Sequence, residues 1–132
     1  MGDQVFAGLK VIDCASWIAA PVAATILSDF GAEVIKIEPP GVGDPWRARS
    51  ANAGSRSDAY WQHTARNKRG LALDLKHAAG LDVLYRLVAS TDVFITNFPL
   101  PVRDRLKLAA DFRRSVRFQV PRVQVARPAV IE

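Results

Sequence analysis

Apolar residues in this chain fall into short unbroken runs separated by stretches with helical spacing. That pattern belongs to parallel strands buried on both faces and joined by crossover helices. Leu9-Lys10-Val11-Ile12-Asp13 reads as the first strand. Ala19 to Phe30 follows as a helix, with Pro21 in its first turn and Gly31 at its end. The small side chains of Ala19, Ala20, Ala23 and Ala24 are expected to let this helix lie close to a sheet. Glu33 to Glu38 is the second strand, halted by Pro39-Pro40, and strand–helix–strand at this spacing makes a parallel βαβ unit.

The chain from Pro39 to Ser57 is rich in Pro, Gly, Asn, Ser and Arg, which predicts a long loop. A short helix is expected over Ala59 to Ala65 and a third strand over Leu71 to Leu75. His77 to Ala89 places Leu81, Leu84, Tyr85 and Val88 at helical spacing. A fourth strand is expected at Val93-Phe94-Ile95-Thr96, and Val102 to Leu108 begins another helix. The fold class is therefore α/β, an open, mostly parallel, Rossmann-like sheet with flanking helices. Ligands of such sheets bind at the carboxyl ends of the strands. Asp74, Lys76 and Asn97 then lie along one rim.

Composition narrows the function classes. A chain that is 49% hydrophobic and 23% charged belongs with globular rather than disordered proteins. No run approaches the roughly 20 apolar residues of a membrane span, so no membrane partner is expected. The start of the chain lacks the pattern of a signal peptide, and the lone Cys14 excludes an internal disulfide. Both point to the cytoplasm. The net charge of +5 arises entirely beyond residue 102: residues 1–102 hold ten basic and ten acidic side chains, residues 103–132 eight and three. A basic tail can contact polyanions, but no nucleic-acid motif accompanies it, so nucleic acid is not the expected partner.

His63 and His77 have no neighbour suggesting a triad and no set of metal ligands, and Gly41 and Gly43 do not form a dinucleotide fingerprint. No metal is expected. Lys76 could simply be solvated, Asp74 could cap the helix that follows it, Asn97 could only end its strand, and Trp17 could only pack.

Several segments in order resemble the amino-terminal part of the family III CoA-transferases, the CaiB/BaiF type, a group including carnitine CoA-transferase, formyl-CoA transferase and methylacyl-CoA racemase. They are Gly8 to Asp13, Ala20-Pro21, Asp29 to Glu38, Gly43-Asp44-Pro45, Asn67-Lys68-Arg69, Leu73 to Lys76, Asp92 to Phe98, and Arg103 to Leu106. The resemblance implies residues 1–110 as a partial CoA-binding α/β domain and coenzyme A as substrate or thioester. It places Trp17 and Ile18 in a cofactor-holding loop, Leu73, Asp74, Leu75 and Lys76 along the adenine nucleotide, Asn97, Phe98 and Pro99 in a second segment, and Arg105 near phosphate. Relatives often carry an arginine directly after the second strand; here that position is Pro39, with Arg47 and Arg49 the nearest substitutes.

The activity so implied moves CoA between an acyl-CoA thioester and a carboxylic acid, and full-length relatives form an interlocked homodimer. The nucleophilic aspartate of that chemistry lies downstream of the segments matched here, so no catalytic residue is assigned and the chain is expected to be inactive alone. A non-catalytic CoA-binding or interaction module and an acyl-CoA racemase relative are the alternatives. Residues 111–132 read as an irregular basic tail, in which Arg113 to Pro121 could be one edge strand. Family pattern, periodicity and charge balance change together near Asp111. A frameshift near codon 112 is the expectation, and a natural short paralogue is the other reading.

Overall fold

The structure, a computed structural model, describes residues 4–50 and 59–108. Four strands form one parallel sheet in the order β3-β2-β1-β4. They are β1 (Lys10–Asp13), β2 (Glu33–Glu38), β3 (Arg69–Ala72) and β4 (Val93–Ile95). The helices are α1 (Ala19–Asp29), α2 (Pro45–Ser50), α3 (Ala59–Ala65), α4 (Ala78–Ala89) and α5 (Leu100–Arg105). Register runs Val11 opposite Val34 on one side and Val93 on the other, so the central β1 is buried between two neighbours.

Strand residues alternate faces, and the two faces carry separate apolar clusters. Val11, Ala15, Val34, Val93 and Ile95 pack with Ala24 of α1. Ile12, Cys14 and Ile37 pack with Leu84 and Val88 of α4 and with Leu106 and Leu108. The α4 stripe read from the sequence is the one found: Leu84 and Val88 are buried, and Leu81 and Tyr85 pack beside them. The alanine-rich α1 is only half as expected. Ala24 is buried and Ala20 partly so, alongside Pro21, Thr25 and Ser28, whereas Ala19 and Ala23 face solvent. Helical periodicity allows one buried stripe, and a run of small residues does not widen it.

Three features differ from the sequence reading by more than one residue. The third strand is Arg69–Ala72, not Leu71 to Leu75, because its ladder is set by Ile35 to Glu38 of β2. Pairing ends as the Leu73 N–H donates to the Glu38 carbonyl at 2.9 Å. The expected long loop contains α2, whose start was legible in Asp44-Pro45: Asp44 Oδ1 accepts the Trp46 N–H at 2.9 Å, and Pro45 needs no donor at the first helical position. The last helix is Leu100–Arg105 rather than Val102 to Leu108, starting on Leu100-Pro101 after Pro99. The expected edge strand at 113–121 and the tail 111–132 lie outside the described residues.

Candidate functional site

Strand order 3-2-1-4 means the chain winds one way from β1 and the other way to reach β4. The topological switch point falls between these two strands, where open α/β sheets leave a crevice at the carboxyl edge. The loop after β1 (14–18) and the segment after β4 (96–99) meet there. Asn97 joins them: its Oδ1 accepts the Ser16 N–H at 3.0 Å and its Nδ2 donates to the Ser16 carbonyl at 2.8 Å. The Asn97 carboxamide is thus engaged with the neighbouring loop, beyond ending its own strand.

Beneath the loop lies a buried charge cluster that sequence reasoning missed. Asp13 and Lys36 are on adjacent strands, on the face that carries α1. Lys36 Nζ lies 3.0 Å from Asp44 Oδ2 and 3.9 Å from Asp13 Oδ1, and donates to the Ala15 carbonyl. Lys68 Nζ donates to Asp13 Oδ2 at 2.9 Å and to the Pro21 carbonyl at 2.6 Å. All four charged side chains are at most 3% exposed, so each charge depends on its partners. Burial pulls the Lys68 ammonium below its usual range, and the adjacent Asp13 carboxylate opposes that pull. One signal was available: a lysine inside the apolar run Val34-Ile35-Lys36-Ile37 of an inner strand requires a buried anion.

The same reasoning explains Asn67-Lys68-Arg69. Asn67 takes a left-handed turn at φ +59° and donates to the Ser28 carbonyl at 2.7 Å, Lys68 enters the cluster, and Arg69 opens β3.

Along the β2–β3 end of the rim a shallow open groove is lined by Glu38, Gly43, Arg47, Leu71 and Ala72 among others. Arg47 grips Glu38 with both ends of its fork, Nε at 2.7 Å and a terminal nitrogen at 2.9 Å, and its guanidinium carbon lies over the Trp61 ring, 3.9 Å from the centroid. It is therefore committed to protein and does not stand free for the role the missing arginine at Pro39 would fill. Burial raises the Glu38 carboxyl, but Arg47, the Asp44 N–H and Lys36 together hold it below its ordinary value.

The sequence-derived residues distribute along this edge. Trp17 and Ile18 are 49% and 43% exposed at the switch point. Phe98 and Leu73 and Leu75 are half-buried and pack against the α4-side core. Asp74 and Lys76 are exposed in the turn after β3. Asp74 Oδ1 accepts the Lys76 N–H at 2.9 Å, and the residue capping α4 is His77, which accepts the Ala79 N–H at 3.3 Å. Asp74 thus shapes the turn rather than capping the helix. Pro99 and Arg105 are exposed, the latter in the last turn of α5. β3 and β4 are the outer strands, three steps of about 4.8 Å apart, so the rim spans about 14 Å across the sheet. It suits an extended ligand more than a compact one.

What this edge offers is recognition. Asp13 and Asp44 are locked in ion pairs, Glu38 is gripped by Arg47, and burial pushes the Cys14 thiol up to about 12, with Lys36 opposing and Asp13 reinforcing. Cys14 is a packed apolar side chain and not a nucleophile. Among the described residues no three His, Cys, Asp or Glu side chains converge as metal ligands, and no helix is long and apolar enough to cross a membrane.

Comparison with known proteins gives a consistent picture. Residues 6–123 match the model of CoA-transferase family III, a span that runs past the change of composition at Asp111. The chain is 45% identical over 93 residues to the succinyl-CoA–L-malate CoA-transferase alpha subunit of Chloroflexus aurantiacus, covering 69% of this chain and 22% of the relative. It is 34% identical over 108 residues to the (R)-2-hydroxy-4-methylpentanoate CoA-transferase of Clostridioides difficile, covering 79% and 27%. Among solved structures, a CaiB/BaiF family protein from Brucella suis superposes with a TM-score of 0.74 at 36% identity, over 84% of this chain and 30% of that one. The chain thus spans about a quarter of the length of the curated relatives it matches.

Proposed function

Because this chain belongs to CoA-transferase family III, we propose that its carboxyl edge binds coenzyme A as part of a protein moving CoA between an acyl-CoA thioester and a carboxylic acid. The observation that carries this reading is the placement of Trp17–Ile18, Leu73–Lys76 and Asn97–Pro99 along one edge of the sheet, across the switch point. Lys76, exposed after β3, and Arg105, exposed on α5, supply charge for the phosphates of the cofactor. The half-buried Leu73 and Leu75 and the backbone of their turn supply a surface for its adenine end. The acyl end then lies toward Trp17.

Binding without turnover by this chain alone is the form of the proposal, since no described carboxylate combines accessibility with a partner poised to activate it. Isothermal titration of the 132-residue chain with CoA tests it. Saturable binding is expected, weakened about tenfold in Lys76→Ala, the usual scale for one charge-assisted contact. No binding, or binding indifferent to Lys76→Ala and Arg105→Ala together, would overturn it. The coding-frame reading of 111–132 is tested by translating the other two frames beyond codon 111; resumption of the family pattern supports it.

A further inference from the structure

Trp17 has a backbone φ of +69°, in the left-handed region that a bulky side chain seldom adopts. Such a conformation persists where its surroundings over-determine it, and it clusters at functional sites. Here the surroundings are specific. The Ala15 N–H donates to Asp13 Oδ1 at 3.2 Å and the Ala15 carbonyl accepts from Lys36. Both backbone groups of Ser16 are held by Asn97, and the Trp17 N–H donates to Asp44 Oδ1 at 3.1 Å. From Ala15 N–H to Trp17 N–H, every backbone polar group is taken by a side chain from elsewhere in the fold or from Asp13.

Two consequences follow. The loop has no backbone N–H left over this stretch for a ligand to use, and the exposed side chains of Trp17 and Ile18 are what it presents. The turn also aims Trp17 toward Trp46, whose ring centroid lies 6.5 Å away with the planes tilted by 52°. Trp46 is itself fixed by the same carboxylate, since Asp44 Oδ1 also accepts its N–H.

We propose that Asn97 and Asp44 are positioning residues: they hold Trp17 in its left-handed turn and set its indole against Trp46 as a preformed aromatic face at the switch point. Asn97 then acts on the ligand through Trp17 and not by touching it. The ligand side of this statement rests on the CoA reading above; the clamp itself does not.

Asn97 is the better probe because it is exposed, so Asn97→Ala opens no cavity. Amide hydrogen exchange by NMR on the full 132-residue chain reads the clamp one residue at a time. In Asn97→Ala, the Ser16 and Trp17 amides are expected to exchange about tenfold faster, the scale of one lost hydrogen bond, while Ile12 and Cys14 of the sheet keep their rates. The circular-dichroism couplet expected of two adjacent indoles should shrink in Asn97→Ala and vanish in Trp46→Phe. Asp44→Asn, which keeps an oxygen acceptor but unpairs the buried Lys36, should keep more Trp17 protection relative to Ile12 and Cys14 than Asp44→Ala does. Unchanged rates at Ser16 and Trp17 in Asn97→Ala would overturn the proposal. So would acceleration by one common factor at Ser16, Trp17, Ile12 and Cys14, since that is general destabilisation. For the ligand, adding Asn97→Ala to Trp17→Ala/Ile18→Ala should weaken CoA binding no further. A further loss on adding Asn97→Ala would mean direct contact and overturn that arm. If the wild-type chain binds no CoA, the functional reading fails, and the exchange rates still decide the clamp.

Discussion

Lys36 shows how a single side chain constrains everything around it. A buried ammonium on an inner strand must meet anions and carbonyls, and it meets Asp44, Asp13 and Ala15, drawing a distant loop and the end of β1 together. Lys36→Met keeps the volume of the side chain but leaves two buried carboxylates with only Lys68 between them. It is expected to cost about 3–5 kcal/mol of stability, the range for breaking one partner from a buried ion pair, measured by urea unfolding with an unchanged slope. Glu38 carries a pH signature. Its carboxyl is held below the ordinary value of 4.5 in the folded chain, so its contribution is fully present above about that pH and is lost as pH falls through the lower folded value. Glu38→Gln should therefore flatten part of the acid limb of the stability profile, checked by thermal melts across that window. At this scale the sequence was least legible. Asp74, Lys76 and Asn97 could be placed on a rim from strand ends alone. The bonds from Asn97 to Ser16, 81 positions away, depend on two strands becoming neighbours, which no local pattern encodes.

Helix α4 and strand β3 show which element properties the pattern carries and which it does not. The Leu81, Leu84, Tyr85 and Val88 stripe was read correctly because its period matches the helix, and Leu84 is fully buried. Leu84→Ala is expected to cost about 2–5 kcal/mol by chemical denaturation, as for a truncated core leucine. Strand β3 was misplaced because Leu71, Leu73 and Leu75 alternate like a strand, while pairing with β2 stops at Ala72 and the later leucines pack from a turn. Gly80 ties the two elements together. A Cβ there would sit 2.1 Å from the Asp74 carbonyl oxygen, so the first turn of α4 lies against the rim. Gly80→Ala improves helix propensity by about 1 kcal/mol, yet it must displace the Leu73–Lys76 turn. The expected outcome is a net loss of stability together with weaker CoA binding; a stabilised protein with unchanged affinity would refute this coupling.

Across the whole molecule, topology links these pieces. The order β3-β2-β1-β4 puts the switch point between β1 and β4, and the buried charges, the Asn97 bridge and the exposed Trp17 all converge on that edge. Alternating strands and helices made the α/β class and the rim legible before any contact was known. The charge cluster was not, because its members come from β1, β2, the start of α2 and the entry to β3, and only the closed sheet brings them together. The most direct check is to titrate CoA into the isotopically labelled 132-residue chain and map amide shifts. Saturable changes confined to residues 17–18, 73–76, 97–98 and 105 are the expected result. No saturable change, or changes centred on the amino edge of the sheet near Lys10 and Glu33, would contradict a CoA site at the carboxyl edge.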